Sequence, residues 1–250
     1  MIILSVGMPR AGSGWHYNLI HDLMEADGYV DAHIIREKFR LQGILTEVNC
    51  NIGVLSARRM GMVSIPALAG NDFVIKAHAG PSPSSRLLQS LGLLRITYIY
   101  RDPRDAMLSA FDYGQRALQK GRPNAFSHLT DFEKSLDFIM DYVRIWERWM
   151  SERNVLIARY EDLLTDYDNE AKRLVDFLQL DGSRIEASAE PSRSIQEVIG
   201  HYRPGASDGQ QGLHYFKGRI GRFRESYTAE QQAVMRDRLG AYLSRMGYEI

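Results

Sequence analysis

The chain has 250 residues, 44% hydrophobic and 25% charged, which permits one domain spanning 1–250 with a substantial core. Its 31 Lys and Arg balance 31 Asp and Glu, which disfavours a general nucleic-acid binder, so any electropositive site must come from local clustering. One cysteine, Cys50, excludes an internal disulfide and fits a reducing compartment. The N-terminal apolar run is too short for a signal peptide or membrane span, so the expectation is a soluble cytoplasmic protein with no membrane partner.

Met1–Val6 reads as a buried parallel strand. It runs into Gly7-Met8-Pro9-Arg10-Ala11-Gly12-Ser13-Gly14, and a helical pattern starts at Trp15 with Leu19, Ile20, Leu23 and Met24 on one face. Strand, glycine-rich turn and helix aim backbone N–H groups and a positive helix end at an anion. The Gly7-x-x-x-x-Gly12 spacing matches the start of a P-loop, but Ser13-Gly14 stands where that motif has Lys-Ser/Thr. Arg10 is the replacement cation.

Further on, Tyr29–Ile35 reads as a second strand and residues 37–62 as mostly helical, interrupted by glycines. Phe73–Lys76 is a short strand ending in the loop Ala77–Pro83, and Ser84–Leu91 a brief helix closed by Gly92. Arg95–Tyr100 is β-branched and aromatic, hence a strand. A helix follows, with Asp102 as N-cap and Pro103 in its first position. After a break at Gly121–Ser127 come a long amphipathic helix at Asp131–Met150, a strand at Val155–Ala158 and a helix at Asn169–Leu178. Residues 181–215 are polar, with a short helix near Ser194–Ile199; a basic, aromatic stretch, Phe216–Arg224, precedes a final helix from Ala229 to Met246.

Alternating strands and helices predict an α/β fold with a central, mainly parallel sheet flanked by helices. Ligands of such folds lie at the carboxyl ends of the strands. Arg10, Lys76, His78, Arg101 and Tyr160 each follow a predicted strand, so one crevice should collect them. Arg101 and Ser109 are eight residues apart, a little over two turns at about 3.6 residues per turn. His78 is two residues after Lys76, whose charge keeps an imidazole neutral and able to accept a proton. The remaining histidines show no metal-ligand spacing with Cys or a carboxylate pair, so no metal is expected.

Together these segments resemble the sulfotransferases that use 3′-phosphoadenosine 5′-phosphosulfate (PAPS). Their first loop, Pro-Lys-Ser-Gly-Thr-Thr-Trp, is similar to Pro9-Arg10-Ala11-Gly12-Ser13-Gly14-Trp15. Their strand-end arginine with a serine eight residues on resembles Arg101 and Ser109, and their Lys-x-His segment resembles Lys76-Ala77-His78. Tyr160-Glu161-Asp162 looks like their Tyr-Glu-Asp, and Phe216-Lys217-Gly218-Arg219-Ile220-Gly221-Arg222-Phe223 is similar to Arg-Lys-Gly-x-x-Gly-Asp-Trp. The resemblance implies a P-loop NTPase-like sulfotransferase fold with PAPS as donor and 3′,5′-adenosine bisphosphate (PAP) as product. It implies that Arg10, Ala11, Gly12, Ser13 and Gly14 hold the 5′-phosphosulfate, and that Trp15 and Tyr160 meet the adenine. Arg101, Ser109, Phe216, Lys217 and Gly218 would hold the 3′-phosphate. Here Arg10 replaces the loop lysine, Gly14 the second threonine, Phe216 an arginine and Arg222 an aspartate.

The expected chemistry is sulfuryl transfer to a hydroxyl (or amine) of a small molecule, with His78 as general base and Arg10 and Lys76 assisting. A P-loop nucleotide kinase or phosphotransferase and a non-catalytic nucleotide-binding protein are the alternatives. The acceptor is expected to meet residues 37–66, 80–85, 120–130 and 200–215, with Met60, Met62, Phe111, Tyr113 and Phe126 hinting at an apolar pocket. No nucleic-acid partner is expected; a homodimer is one of the open oligomeric states.

Overall fold

The computed structural model describes residues 1–181, 193–206 and 219–250. The chain begins with β1 (Ile2–Gly7), then α1 (Ser13–Ala26), α2 (Ala32–Lys38), α3 (Ala57–Leu68), β2 (Phe73–Ala77), α4 (Pro83–Ser90) and β3 (Leu94–Tyr100). It continues with α5 (Pro103–Gln119), α6 (Phe132–Met150), β4 (Val155–Arg159), α7 (Tyr160–Thr165), α8 (Tyr167–Leu178), α9 (Ile195–Tyr202), α10 (Phe223–Ser226) and α11 (Ala229–Met246). The four strands form one parallel sheet in the order β2-β1-β3-β4, as the alternating pattern predicts.

Strand periodicity divides the core between the two sheet faces. Ile2, Leu4, Val6, Phe73, Ile75, Ile96 and Tyr98 join a cluster with α3, α5, α6 and α11. Ile3, Val74, Ile99 and Ala158 face the other way, into α1, α7, α8 and α9. In α6, Leu136, Ile139, Met140, Val143, Trp146 and Trp149 are the buried stripe, spaced at three and four residues as an amphipathic helix requires.

Two expectations from the sequence change. Tyr29–Ile35 is not a strand. Asp31 accepts a hydrogen bond from the His33 N–H and caps α2, which places Ile35 in the core and leaves Ile34 outside; the two adjacent β-branched residues mislead because only one is inward. Nor are residues 39–56 helical. Cys50–Ile52 instead runs beside β2, with the Lys76 N–H donating to the Cys50 carbonyl at 3.3 Å and the Ile52 N–H donating to the Lys76 carbonyl at 2.9 Å. The helix begins later, where Ser56 caps α3 by accepting from the Arg59 N–H.

The segment 124–129 is fastened to α5 by Gln115 Nε2, which donates to the Leu129 carbonyl at 2.8 Å. Asn124 turns it, accepting from the Phe126 N–H at 2.8 Å. The close approach occurs at Gly114, where a Cβ would lie 2.2 Å from the Phe126 carbonyl oxygen. Gly114→Ala should therefore lower stability by about 1–3 kcal/mol through overpacking against backbone, measured as a reduced urea midpoint with an unchanged slope; wild-type stability would contradict this packing.

Candidate active site

Helix α1, after β1, packs on one sheet face, and α5, after the neighbouring β3, packs on the other. The chain thus leaves two adjacent strands in opposite directions, which opens a crevice at their carboxyl ends. The starts of both helices border it. Gly12 precedes α1 with φ +78° and no side-chain cap, leaving the first backbone N–H groups of the helix available to an anion. A Cβ on Gly12 would lie 2.5 Å from the Tyr160 ring. Both the backbone conformation and the close aromatic contact therefore require glycine there. Ala11 and Ser13 are buried beside it, whereas Gly14 borders open space. Asp102 caps α5, accepting from the Arg104 N–H at 2.9 Å as the sequence predicts.

The side chains of the first and second strand-to-helix turns meet. Arg10 Nε donates to Ser109 Oγ at 3.3 Å, and its guanidinium lies 4.4 Å from the centre of the Tyr113 ring. Phe126 stands on the same side, edge-on to Tyr113, with 5.7 Å between ring centres. Arg101 Nη2 donates to Asp105 at 3.2 Å and to the Arg219 carbonyl at 2.8 Å, and its guanidinium is 4.5 Å from the centre of the Tyr160 ring. Among the described residues, the buried Arg101 Nε has no hydrogen-bond partner. Trp15 stacks on Tyr167, meets Tyr160 edge-on and donates from its indole N–H to the Tyr202 carbonyl at 3.1 Å.

Lys76 lies inside β2, not after it; the parallel ladder with β1 runs one residue further and pairs Val6 with Ala77. Its side chain is on the α1 side, with Nζ 5.9 Å from the centre of the Tyr17 ring. His78 sits in the following loop, which α6 clamps: Trp149 Nε1 donates to the Ala79 carbonyl at 3.0 Å and Arg148 Nη2 to the Pro81 carbonyl at 2.6 Å. His78 Nδ1 is 2.6 Å from the Gly7 carbonyl. A carbonyl only accepts, so Nδ1 carries the hydrogen and, in the neutral ring, Nε2 carries the lone pair.

The electrostatics link these residues. Burial holds the Arg10 guanidinium below its ordinary pKa, and Arg116 and Arg101 add to the effect. Burial, then Arg10, pushes Lys76 down to about 8; burial, then Lys76, pushes His78 down to about 4. Basic groups from the ends of three adjacent strands therefore oppose each other's protonation.

Several contributors were not singled out by sequence. Asp105, in the first turn of α5, accepts from the Gly221 N–H at 2.7 Å and the Phe223 N–H at 3.0 Å as well as from Arg101. It thereby pins residues 221–223 to α5. Arg222 pairs with Asp112 at 2.7 Å. Met60 is buried in the core and Met62 is exposed, so the expected apolar pocket is not made by both; Tyr113 and Phe126 instead flank Arg10. Phe216, Lys217 and Gly218 lie outside the described residues.

Among the described residues, no helix is long and apolar enough to cross a membrane. The fold is similar to that of retinol dehydratase crystallised with retinol and PAP, at a TM-score of 0.56 and 17% identity over 97% of this chain and 81% of that one. Mouse sulfotransferase SULT7A1 complexed with PAP gives 0.55 and 16%, over 97% and 84%. The rabbit (Oryctolagus cuniculus) amine sulfotransferase is 25% identical over 154 residues, 55% of this chain and 50% of that protein. Human sulfotransferase 2B1 is 27% identical over 152 residues, 55% of this chain and 41% of that protein. The chain thus spans about half the length, or less, of these two relatives. Residues 2–203 match the Sulfotransferase domain, and the chain belongs to that family.

Proposed function

We propose that this chain transfers the sulfuryl group of PAPS to a hydroxyl of a small-molecule acceptor. One observation carries the reading: Arg10, Lys76 and Arg101 converge, largely buried, on the carboxyl end of the sheet, and Arg10 and Lys76 both have lowered pKa values. Such a crevice favours a polyanion, and a donor with phosphates at both ribose ends matches cations on two strand ends. In this reading residues 10–14 and the start of α1 face the 5′-phosphosulfate. Arg101 and Ser109 hold the 3′-phosphate, completed by Phe216, Lys217 and Gly218. Trp15 and Tyr160 border the adenine, with one Trp15 face against Tyr167 and one Tyr160 face against Arg101. PAP bound in the related structures, together with the family match, supports the choice of donor.

His78 Nε2 accepts the acceptor's hydroxyl proton while the oxygen forms a bond to sulfur. The bond from sulfur to the bridging 5′-phosphate oxygen breaks, and PAP departs with that electron pair. Arg10 and the loop N–H groups neutralise the charge that grows on the bridging oxygen, where preorganised donors act most strongly. Lys76 steadies the transferring group. Tyr113 and Phe126 form the apolar side on which the acceptor rests, and the retinol and androsterone of related complexes are ligands of that apolar kind.

His78→Ala should keep PAP affinity within about twofold while lowering kcat by roughly 10²–10⁴; equal loss of binding and turnover would remove the base assignment. Arg101→Ala should weaken PAP by about 2 kcal/mol, the scale of hydrogen bonds to charged groups, and leave adenosine 5′-phosphate almost unaffected. Calorimetry of both nucleotides, with Mg–ATP as a third ligand, checks this; tighter binding of Mg–ATP than of PAP would overturn the donor. The free-enzyme pH profile of kcat/KM follows from the two signs. His78 must be neutral, so activity is lost as pH falls through about 4. Lys76 must be charged, so activity is lost as pH rises through about 8. Lys76→Met should lower the plateau and abolish the alkaline limb; a limb that survives unshifted belongs to another group.

A further inference from the structure

Two histidines that show no metal-ligand spacing in the sequence are brought together by the fold, away from the anion crevice. His21 lies eight residues into α1 from Ser13, about 12 Å along the helix from its anion-facing end. His33 is in the first turn of α2, and Asp31 is that helix's cap. His21 Nε2 is 3.4 Å from Asp31 Oδ1, and His33 Nδ1 is 2.7 Å from the same oxygen. The three ligand atoms lie within 4.8 Å of one another, at partly exposed side chains that solvent reaches.

The outer nitrogen of each ring shows what the inner one can do. His33 Nε2 is 2.8 Å from the Glu47 carbonyl oxygen, which only accepts, so Nε2 carries the hydrogen. His21 Nδ1 is 3.1 Å from Asp22 Oδ1 and 3.6 Å from Glu25 Oε2, again acceptors, so Nδ1 carries the hydrogen. In the neutral rings, both remaining lone pairs then converge on a carboxylate oxygen. Three acceptors on one point repel unless positive charge sits between them, either a proton on one of the rings or a metal ion; the His33 N–H, which also donates to Asp31 Oδ1 at 2.8 Å, offsets only part of this. A histidine whose second N–H is held by a carboxylate or a backbone carbonyl is the arrangement that orients a metal ligand. The support extends outward, because Asp22 also accepts from the Tyr202 hydroxyl at 2.8 Å.

We propose that His21 Nε2, His33 Nδ1 and Asp31 Oδ1 bind one divalent transition-metal ion of the zinc class, bridging α1 to the residues that open α2. Two imidazoles and one carboxylate are a borderline nitrogen–oxygen donor set, suited to zinc, cobalt or nickel and not to calcium or magnesium. Tetrahedral ligands at zinc distances stand about 3.3 Å apart, so the His21–Asp31 spacing of 3.4 Å already fits, and the His33–Asp31 spacing of 2.7 Å opens by rotation of the partly exposed His33 ring. The site is separate from the proposed sulfuryl transfer and stands or falls independently of it.

The test uses untagged full-length protein, freed of metal by chelator and titrated with zinc chloride by calorimetry, with cobalt(II) absorption reporting ligand geometry. One equivalent of zinc should bind, raise Tm, and give cobalt the intense visible bands of a tetrahedral site. His33→Ala and Asp31→Asn should each weaken zinc by about 100-fold or more and abolish the cobalt bands. Asparagine still caps a helix, so Asp31→Asn separates ligation from folding, and both metal-free variants should melt near the wild type. Failure of the wild type to bind zinc with 1:1 saturation overturns the proposal. So does zinc binding of wild-type strength in both variants, which would mean ordinary surface-histidine association.

Discussion

Arg10, Lys76 and Arg101 gather positive charge where little water is available to screen it. Two like unit charges about 6 Å apart repel by roughly 3 kcal/mol at an effective dielectric of ~20. Burial adds a further cost to each charged form, and the lowered pKa values of Arg10 and Lys76 record both contributions. Asp105, almost wholly buried, offsets part of this for Arg101. It also holds residues 221–223 against α5. The same carboxylate thus stabilises a cation of the crevice and the segment whose Arg219 carbonyl accepts from that cation.

The sheet order makes this gathering unavoidable. With β1 between β2 and β3, residues just beyond each strand end must share one edge of the sheet. Ser5 is paired with Lys76 on one side and with Thr97 on the other, so a polar row crosses three strands beneath α1. His16 covers it, with Nδ1 3.3 Å from Ser5 Oγ. The His78 imidazole then reaches the Gly7 carbonyl, joining the loop after β2 to the end of β1. A one-residue slip of β2 against β1 would turn Lys76 to the opposite face. The placement of the cation and the packing of Phe73 and Ile75 into the core are therefore one constraint.

Much of this was legible in the chain because it rests on local rules. Apolar runs marked the four strands, and Asp102-Pro103 marked the start of α5 by capping chemistry. Strand ends located Arg10, His78, Arg101 and Tyr160 at one edge. What local rules miss is long-range pairing. Nothing near Cys50–Ile52 announces that it lies beside β2, since its partner is more than 20 residues away. Ile34-Ile35 resembles a strand until the Asp31 cap is seen to set the helix. Asp105 reads as any acidic residue in a first helical turn; that it anchors residues 116 and 118 positions further on is a tertiary fact. The His21–Asp31–His33 group escapes spacing rules for the same reason, because it joins two helices whose packing no motif encodes.

Arg10 occupies a loop position where the resembling enzymes carry lysine, and its surroundings suit the guanidinium. Its backbone is left-handed at φ +63°, a conformation that costs a non-glycine residue about 1 kcal/mol or more and persists where neighbours hold it. The neighbours here are Ser109, which accepts from Nε, and the Tyr113 ring, over which the planar group lies. A lysine could keep the charge but would lose the flat stacking surface and the fixed fork. The Ser109 bond uses only Nε, which leaves the Nη groups to meet phosphate or sulfuryl oxygens. The Arg10–Ser109 bond ties the loop after β1 to α5, the helix that follows β3, so the two strand-to-helix connections hold each other in place.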